Sequence, residues 1–128
     1  MLIRLDQNDP TPIYAQIVNE IRRGLVIGAL SPADPLPSAR QLAKELRVNS
    51  NTVNQAYREL ERLGVVEVRR GKGTYVALHG TDATQRAEVV RDVALRALRD
   101  ARRNGISTDD LVDGIRRFDG QTPAKEEV

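Results

Sequence analysis

The chain has no cysteine and no tryptophan, one histidine, and only four aromatic rings, Tyr14, Tyr57, Tyr75 and Phe118, in 128 residues. Without cysteine, neither disulfides nor thiolate metal sites can hold the fold, which agrees with a reducing cytoplasm as the expected location. The lone His79 has no serine, cysteine or metal-ligand partner at a recognisable spacing. "GKGT" lacks both the paired Lys-Ser/Thr and the upstream glycine of a phosphate loop. Asp109, Asp110 and Asp113 resemble a metal cluster only superficially, and a helix-cap role suits them better. The inventory therefore argues against an enzyme, and no metal or cofactor is expected. No stretch reaches the roughly 18 apolar residues that a membrane-spanning helix needs.

What is present is unevenly spread. The length suits one domain, or a small domain with an appendage, against the usual span of about 100 to 200 residues. Residues 1–78 hold 11 Lys and Arg against 8 Asp and Glu, whereas residues 79–128 hold 9 against 10. The excess is local, because Arg40, Lys44, Arg47, Arg58, Arg62, Arg69, Arg70 and Lys72 fall within one span. A basic cluster alone is also what a solvated surface looks like.

The pattern of elements narrows this. Thr11 and Pro12 read as an N-cap and first-turn pair, and Ile13, Ile17, Ile21 and Leu25 follow at helical spacing, with Gly28 as the stop. "SPADPLP" cannot be helix interior and reads as a rigid connector. Ser38 with Gln41 makes a capping box for a short second helix carrying Leu42, Ala43 and Leu46 on its inner face. After a tight break at Arg47–Asn49, a third helix places Val53, Ala56, Tyr57, Leu60 and Leu63 on one side and stops at Gly64. "VVEVRRGKGTYVAL" reads as a hairpin with a mobile, basic tip.

The third helix carries the strongest signal. Asn51, Asn54, Gln55, Arg58 and Arg62 share the face opposite its apolar stripe. Solvated helix surfaces usually carry Glu, Lys, Ala or Gln, and each Asn or Thr costs several tenths of a kcal/mol relative to Ala. Asparagine and glutamine present a donor and an acceptor together, matching adenine N6 and N7 in the major groove, while Ser50 and Thr52 suit base edges or phosphates. A short helix, a tight turn and a longer helix with a polar N-terminal half is the helix-turn-helix arrangement. Arg69, Arg70 and Lys72, set among glycines, suit a minor-groove or phosphate contact.

At this point "LPSARQLAKELRVNSNTVNQAYRELERLGVVEVRRGKGTYV", residues 36–76, resembles the winged helix-turn-helix of GntR-family bacterial transcription regulators. "PIYAQI", "VNSNTVNQAY" and the short tail resemble its small YtrA-type subfamily. The resemblance implies DNA contacts for Arg40, for the recognition-helix start at Asn49, Ser50, Asn51, Thr52 and Asn54, and for the wing tip Arg70, Gly71 and Lys72. It also suggests autoregulation and control of a neighbouring transporter operon. Many members have arginine where Ser50 and Asn54 stand, so a guanine-reading arginine pattern does not transfer. YtrA-type wording usually has proline at Ser50. Ala33 and Arg47 stand where glycine is common.

After His79, a long amphipathic helix from about Ala83 to Arg103 carries Val90, Val93, Ala94, Ala97, Leu98 and Ala101 as its stripe. Asn104 and Gly105 break it, and a short helix capped at Ser107 continues the apolar face with Leu111, Ile115 and Phe118. From Asp119 the pattern ends, and the last residues are expected to be disordered. Two such helices are too few to enclose a metabolite pocket and must pack on something, either their own DNA-binding domain or, as the YtrA-type resemblance implies, the same helices of a second chain through those nine residues.

The expected architecture is α+β and mainly helical. A winged helix-turn-helix DNA-binding domain occupies residues 1–78, a two-helix dimerisation tail 79–118 and a disordered end 119–128. The expected function is a homodimeric regulator, a repressor, that reads a palindromic operator with the third helix in the major groove and the wing in the minor groove. Arg40, Asn49, Ser50, Asn51, Thr52, Asn54, Gln55, Arg58, Arg70, Gly71 and Lys72 are the candidate DNA contacts. A small-molecule effector is left open and nothing indicates one. Two alternatives stand beside this reading: a winged-helix adaptor that binds protein, and an RNA-binding winged helix, the latter disfavoured by the absence of aromatics from the polar face.

Overall fold

The spacing of Ile13, Ile17, Ile21 and Leu25 does produce a helix, α1 (Ile13–Val26), and all but Ile13 are buried. The structure, a computed structural model, describes residues 3–78 and 83–121. After α1 come β1 (Pro35–Leu36), α2 (Ala39–Leu46), α3 (Ser50–Arg62), β2 (Val66–Arg69), β3 (Gly73–Val76), α4 (Ala83–Arg103) and α5 (Thr108–Phe118). These form two compact units, one running to Val90 and one from Arg91 onward. The first two turns of α4 thus belong with the N-terminal unit. His79 and residues 122–128, most of the stretch expected to be disordered, lie outside the described residues.

The start of α1 differs from the expectation. Its N-cap is Pro12, in extended geometry, and no side chain caps it, so Thr11 is not the cap. Buried Gln16 instead ties the segment before the helix to it. Its amide donates to the carbonyls of Asp6 and Thr11 and accepts from the N–H of Asp6, each at 2.8–2.9 Å. A side chain that bonds three backbone groups fixes the incoming segment, which also packs Ile3 and Leu5 against the core.

α2 and α3 are terminated as their sequences suggest. Ser38 and Gln41 form the reciprocal capping box. α3 ends in a Schellman motif: Val65 N–H bonds the Leu60 carbonyl and Gly64 N–H bonds that of Glu61, with Gly64 at φ 76°. α2 ends in a related way, the N–H groups of Arg47 and Val48 both reaching the Ala43 carbonyl, but its left-handed residue is Arg47 at φ 58°. Among the described residues, Ala33, at φ 70°, is the other non-glycine there. Both departures from glycine noted in the sequence therefore fall where the backbone is left-handed, at a cost of roughly 1–2 kcal/mol each.

The core draws on every element of the first unit before α4. Ile17, Ile21, Leu42, Val53, Leu60, Val65 and Val76 are essentially inaccessible. Burying each such side chain contributes about 1.5–3 kcal/mol relative to exposure, before chain entropy is charged against it. α3 lies against α1, α2 and β2, so its inner face is fixed from three directions.

The hairpin is one strand short of the observed sheet. β1, β3 and β2 form a three-stranded antiparallel sheet in that order, with Pro35 opposite Tyr75 and Val66 opposite Val76. The proline-rich connector supplies the third strand at an edge, where a missing N–H is tolerated. Its backbone ladder continues one step further, as Ala33 N–H bonds the Val76 carbonyl and Val76 N–H bonds that of Asp34.

Candidate nucleic-acid interface

The position of α3 is set by its buried side. Val53, Ala56, Tyr57 and Leu60 are buried, and the Tyr57 hydroxyl donates to the Pro37 carbonyl at 2.6 Å, just before the cap of α2. Burial, reinforced by the Glu45 charge, pushes the Tyr57 phenol well above its usual range, so it remains a protonated donor. The two helices are thus tied together by apolar packing and one hydrogen bond.

The opposite side is open. Ser50, Asn51, Asn54, Gln55 and Arg58 are exposed, and Thr52 is half-buried. Among the described residues, the side chains of Asn51, Asn54, Gln55 and Arg58 make no hydrogen bond or ion pair, so their donors and acceptors face solvent. Asn49 is partly committed: its Oδ1 accepts from Asn51 N–H at 2.8 Å as the N-cap, which leaves its Nδ2 to donate outward. No acidic residue stands in the first turn of α3, so the positive end of its dipole is not offset locally.

The basic residues divide into two sets. Arg62 shared the polar face in the sequence reading, but its guanidinium bonds Glu59, with Nε to Oε2 at 3.0 Å. That hydrogen bond holds the Glu59 carboxyl below its ordinary range and raises Arg62, so Arg62 is an internal partner rather than an open cation. Arg69 is likewise engaged, bonded to Glu67 at 2.8 Å and stacked 4.3 Å from the Tyr75 ring centre. Arg40, Arg58, Arg70 and Lys72 have no such partner among the described residues and are exposed. Arg40 lies in the first turn of α2, where a cation opposes the helix dipole, so folding alone gives no reason for its charge.

The wing tip is shaped rather than loose. Lys72 N–H closes the turn on the Arg69 carbonyl at 2.8 Å, and Gly71 takes φ 76°. The Tyr75 hydroxyl bonds the Lys72 carbonyl at 3.2 Å. With Arg69 held back by Glu67 and Tyr75, the tip presents Arg70 and Lys72. Sequence reasoning grouped all three cations and missed this division, although the Glu67-x-Arg69 spacing on one strand face, with Tyr75 opposite Glu67, was its signal.

The nine apolar tail residues, eight of them in the second unit, separate. Ala101 is buried within its own chain, Ala97, Leu98 and Leu111 are half-buried, and Val93, Ala94, Ile115 and Phe118 are exposed. Val90, the last residue of the first unit, is exposed as well. Ser107 Oγ accepts from Asp110 N–H as the cap of α5, with Asp109 and Asp110 in the first turn, as the sequence suggested. No described helix is long and apolar enough to cross a membrane.

A helix-turn-helix with a basic β-wing is the fold of one large class of regulators, and comparison with known proteins agrees. Residues 13–76 match the model of the gntR family of bacterial regulatory proteins. The HTH-type transcriptional repressor YtrA of Bacillus subtilis is 34% identical over 91% of this chain and 92% of its own. Among solved structures, YtrA from Sulfolobus acidocaldarius, a GntR-family transcription factor, shares 35% identity over 94% of this chain and 98% of its own, with a TM-score of 0.56. The AraR DNA-binding domain in complex with operator ORE1 covers 60% of this chain and 94% of its own at 27% identity and a TM-score of 0.51.

The chain belongs to the GntR family and is a DNA-binding transcription regulator, not an enzyme. Its likeness to YtrA along nearly the whole length groups it with the family's small YtrA-type members.

Proposed function

We propose that this protein is a cytoplasmic repressor that binds a palindromic operator as a homodimer, with α3 in the major groove and the β2–β3 wing in the minor groove. The carrying observation is the open amide face of α3, with Asn51, Asn54 and Gln55 exposed and uncommitted above a fully buried stripe. Asn54 and Asn51 read bases, adenines by preference, because each offers a paired donor and acceptor. Ser50, Thr52, Gln55 and the free Nδ2 of Asn49 add base-edge or phosphate contacts, while Arg40, Arg58, Arg70 and Lys72, with Gly71 allowing close approach, supply the charge. Residues 1–78 form the DNA-binding part, and the helices through Phe118 form the dimerisation part.

Two-fold symmetry would then set the two copies of α3 about 34 Å apart, one turn of DNA. The exposed apolar residues of α4 and α5 support a second chain as their cover. Gly114, inside α5 with open space where a Cβ would stand, leaves room for close approach by a partner helix. No effector is part of this reading.

Selecting bound duplexes from a random pool tests affinity, symmetry and half-site spacing together. A two-fold symmetric consensus is expected, and an asymmetric or absent one would sink the dimeric reading. Asn54→Ala should then cost about 1–3 kcal/mol of discrimination against the scrambled duplex, with little loss of affinity for it. Unchanged discrimination would remove Asn54 from base reading.

A further inference from the structure

We infer that Arg47 is a further DNA-backbone contact, a phosphate anchor in the turn between α2 and α3. This assignment rests on the DNA-binding reading above and adds to it a residue outside the recognition face and the wing. Three observations converge on Arg47. It is exposed and makes no ion pair or side-chain hydrogen bond among the described residues, unlike Arg62 and Arg69, which the fold uses. It sits at φ 58°, where the turn requires a left-handed residue and glycine or asparagine would serve with less strain. It also lies two residues before Asn49, the cap of α3, so its Cα is within about 7 Å of the start of the reading helix.

The alternative account is local electrostatics, since a cation is favourable at the C-terminus of a helix. Lys44 already occupies the last turn of α2, however, and an unstrained position there would serve equally. The surroundings favour an external anion: residues 36–58 carry Arg40, Lys44, Arg47 and Arg58 against Glu45 alone. A positive helix end without carboxylates adjoins them at α3. The guanidinium fork suits a phosphate, and the strained backbone is retained because the side chain acts on something outside the fold.

The test compares wild type, Arg47→Gly and Arg47→Lys for binding to the selected duplex and a scrambled one, at salt from about 50 to 200 mM, alongside thermal melting. Arg47→Gly should melt a few degrees higher, yet bind both duplexes several-fold more weakly. Its slope of log affinity against log salt should flatten by about 0.9 for each Arg47 engaged, so about twice that in a two-fold complex. Arg47→Lys should keep most of the slope. If Arg47→Gly binds both duplexes like wild type, with the same slope, the assignment is wrong whatever happens to the melting temperature. If wild type binds no duplex from the pool, the DNA-binding reading itself fails and takes this one with it.

Discussion

Along α3, Val53, Ala56 and Leu60 recur at helical spacing and are completely covered, whereas along α4 and α5, Val90, Val93, Ile115 and Phe118 recur in the same manner and stay more than half exposed. Both patterns are equally clear in the sequence. Periodicity reports which face of a helix is apolar; it does not report what covers that face. In the first unit the cover comes from α1, α2 and the sheet within one chain. In the second unit, α5 has no buried residue at all, and its apolar side stays open to solvent in the single chain.

Equivalent truncations in the two regions should therefore fail differently. Leu60→Ala removes a fully buried side chain held among α1, α2 and β2, and is expected to cost about 2–5 kcal/mol by denaturant unfolding. The loss relative to wild type should be the same at every protein concentration. A loss that grows on dilution would show that the first unit does not complete its own core. Phe118→Glu is expected to leave the fold of the DNA-binding unit intact while weakening self-association by about 100-fold, roughly 2.7 kcal/mol. Sedimentation across a concentration series reads this directly, and an unchanged oligomeric state would break the contrast by showing that the exposed stripe is not the interface.

The same contrast marks how far the sequence could be read. Most caps, stops and stripes are local and were legible: Ser38 with Gln41, Ser107, Gly64 and the end of α4 before Asn104 and Gly105 stand where short-range chemistry puts them, and only the Thr11 cap does not. The departures at Ala33 and Arg47 were visible too, and left-handed backbone explains why glycine would be expected at both. What escaped depended on meetings across the chain. Pro35 and Leu36 could be read as extended but not as paired with Tyr75 and Thr74. Gln16 gave no local sign that it would tie down the backbone of Asp6 and Thr11. The charge of Arg62 and Arg69 counted toward a basic face until Glu59, Glu67 and Tyr75 were seen to engage them.

Tyr57 offers the finest probe of how the finished unit is held, because it is the one ring that couples α3 to the entrance of α2. Tyr57→Phe keeps the packing and removes the hydrogen bond to the Pro37 carbonyl, so a loss of about 0.5–1.5 kcal/mol is expected at neutral pH. The phenol is raised in the folded state by burial first and Glu45 second, so its stabilising contribution is fully present below the unfolded value of about 10. As pH rises past that value, the unfolded phenol ionises while the folded one resists, and wild-type stability falls by a term that phenylalanine lacks. The deficit of Tyr57→Phe should therefore shrink between pH 7 and about 10.5 in paired urea titrations. A constant deficit over that range would mean that the hydroxyl is solvated rather than buried against Pro37. The recognition helix would then be held to α2 by apolar packing alone.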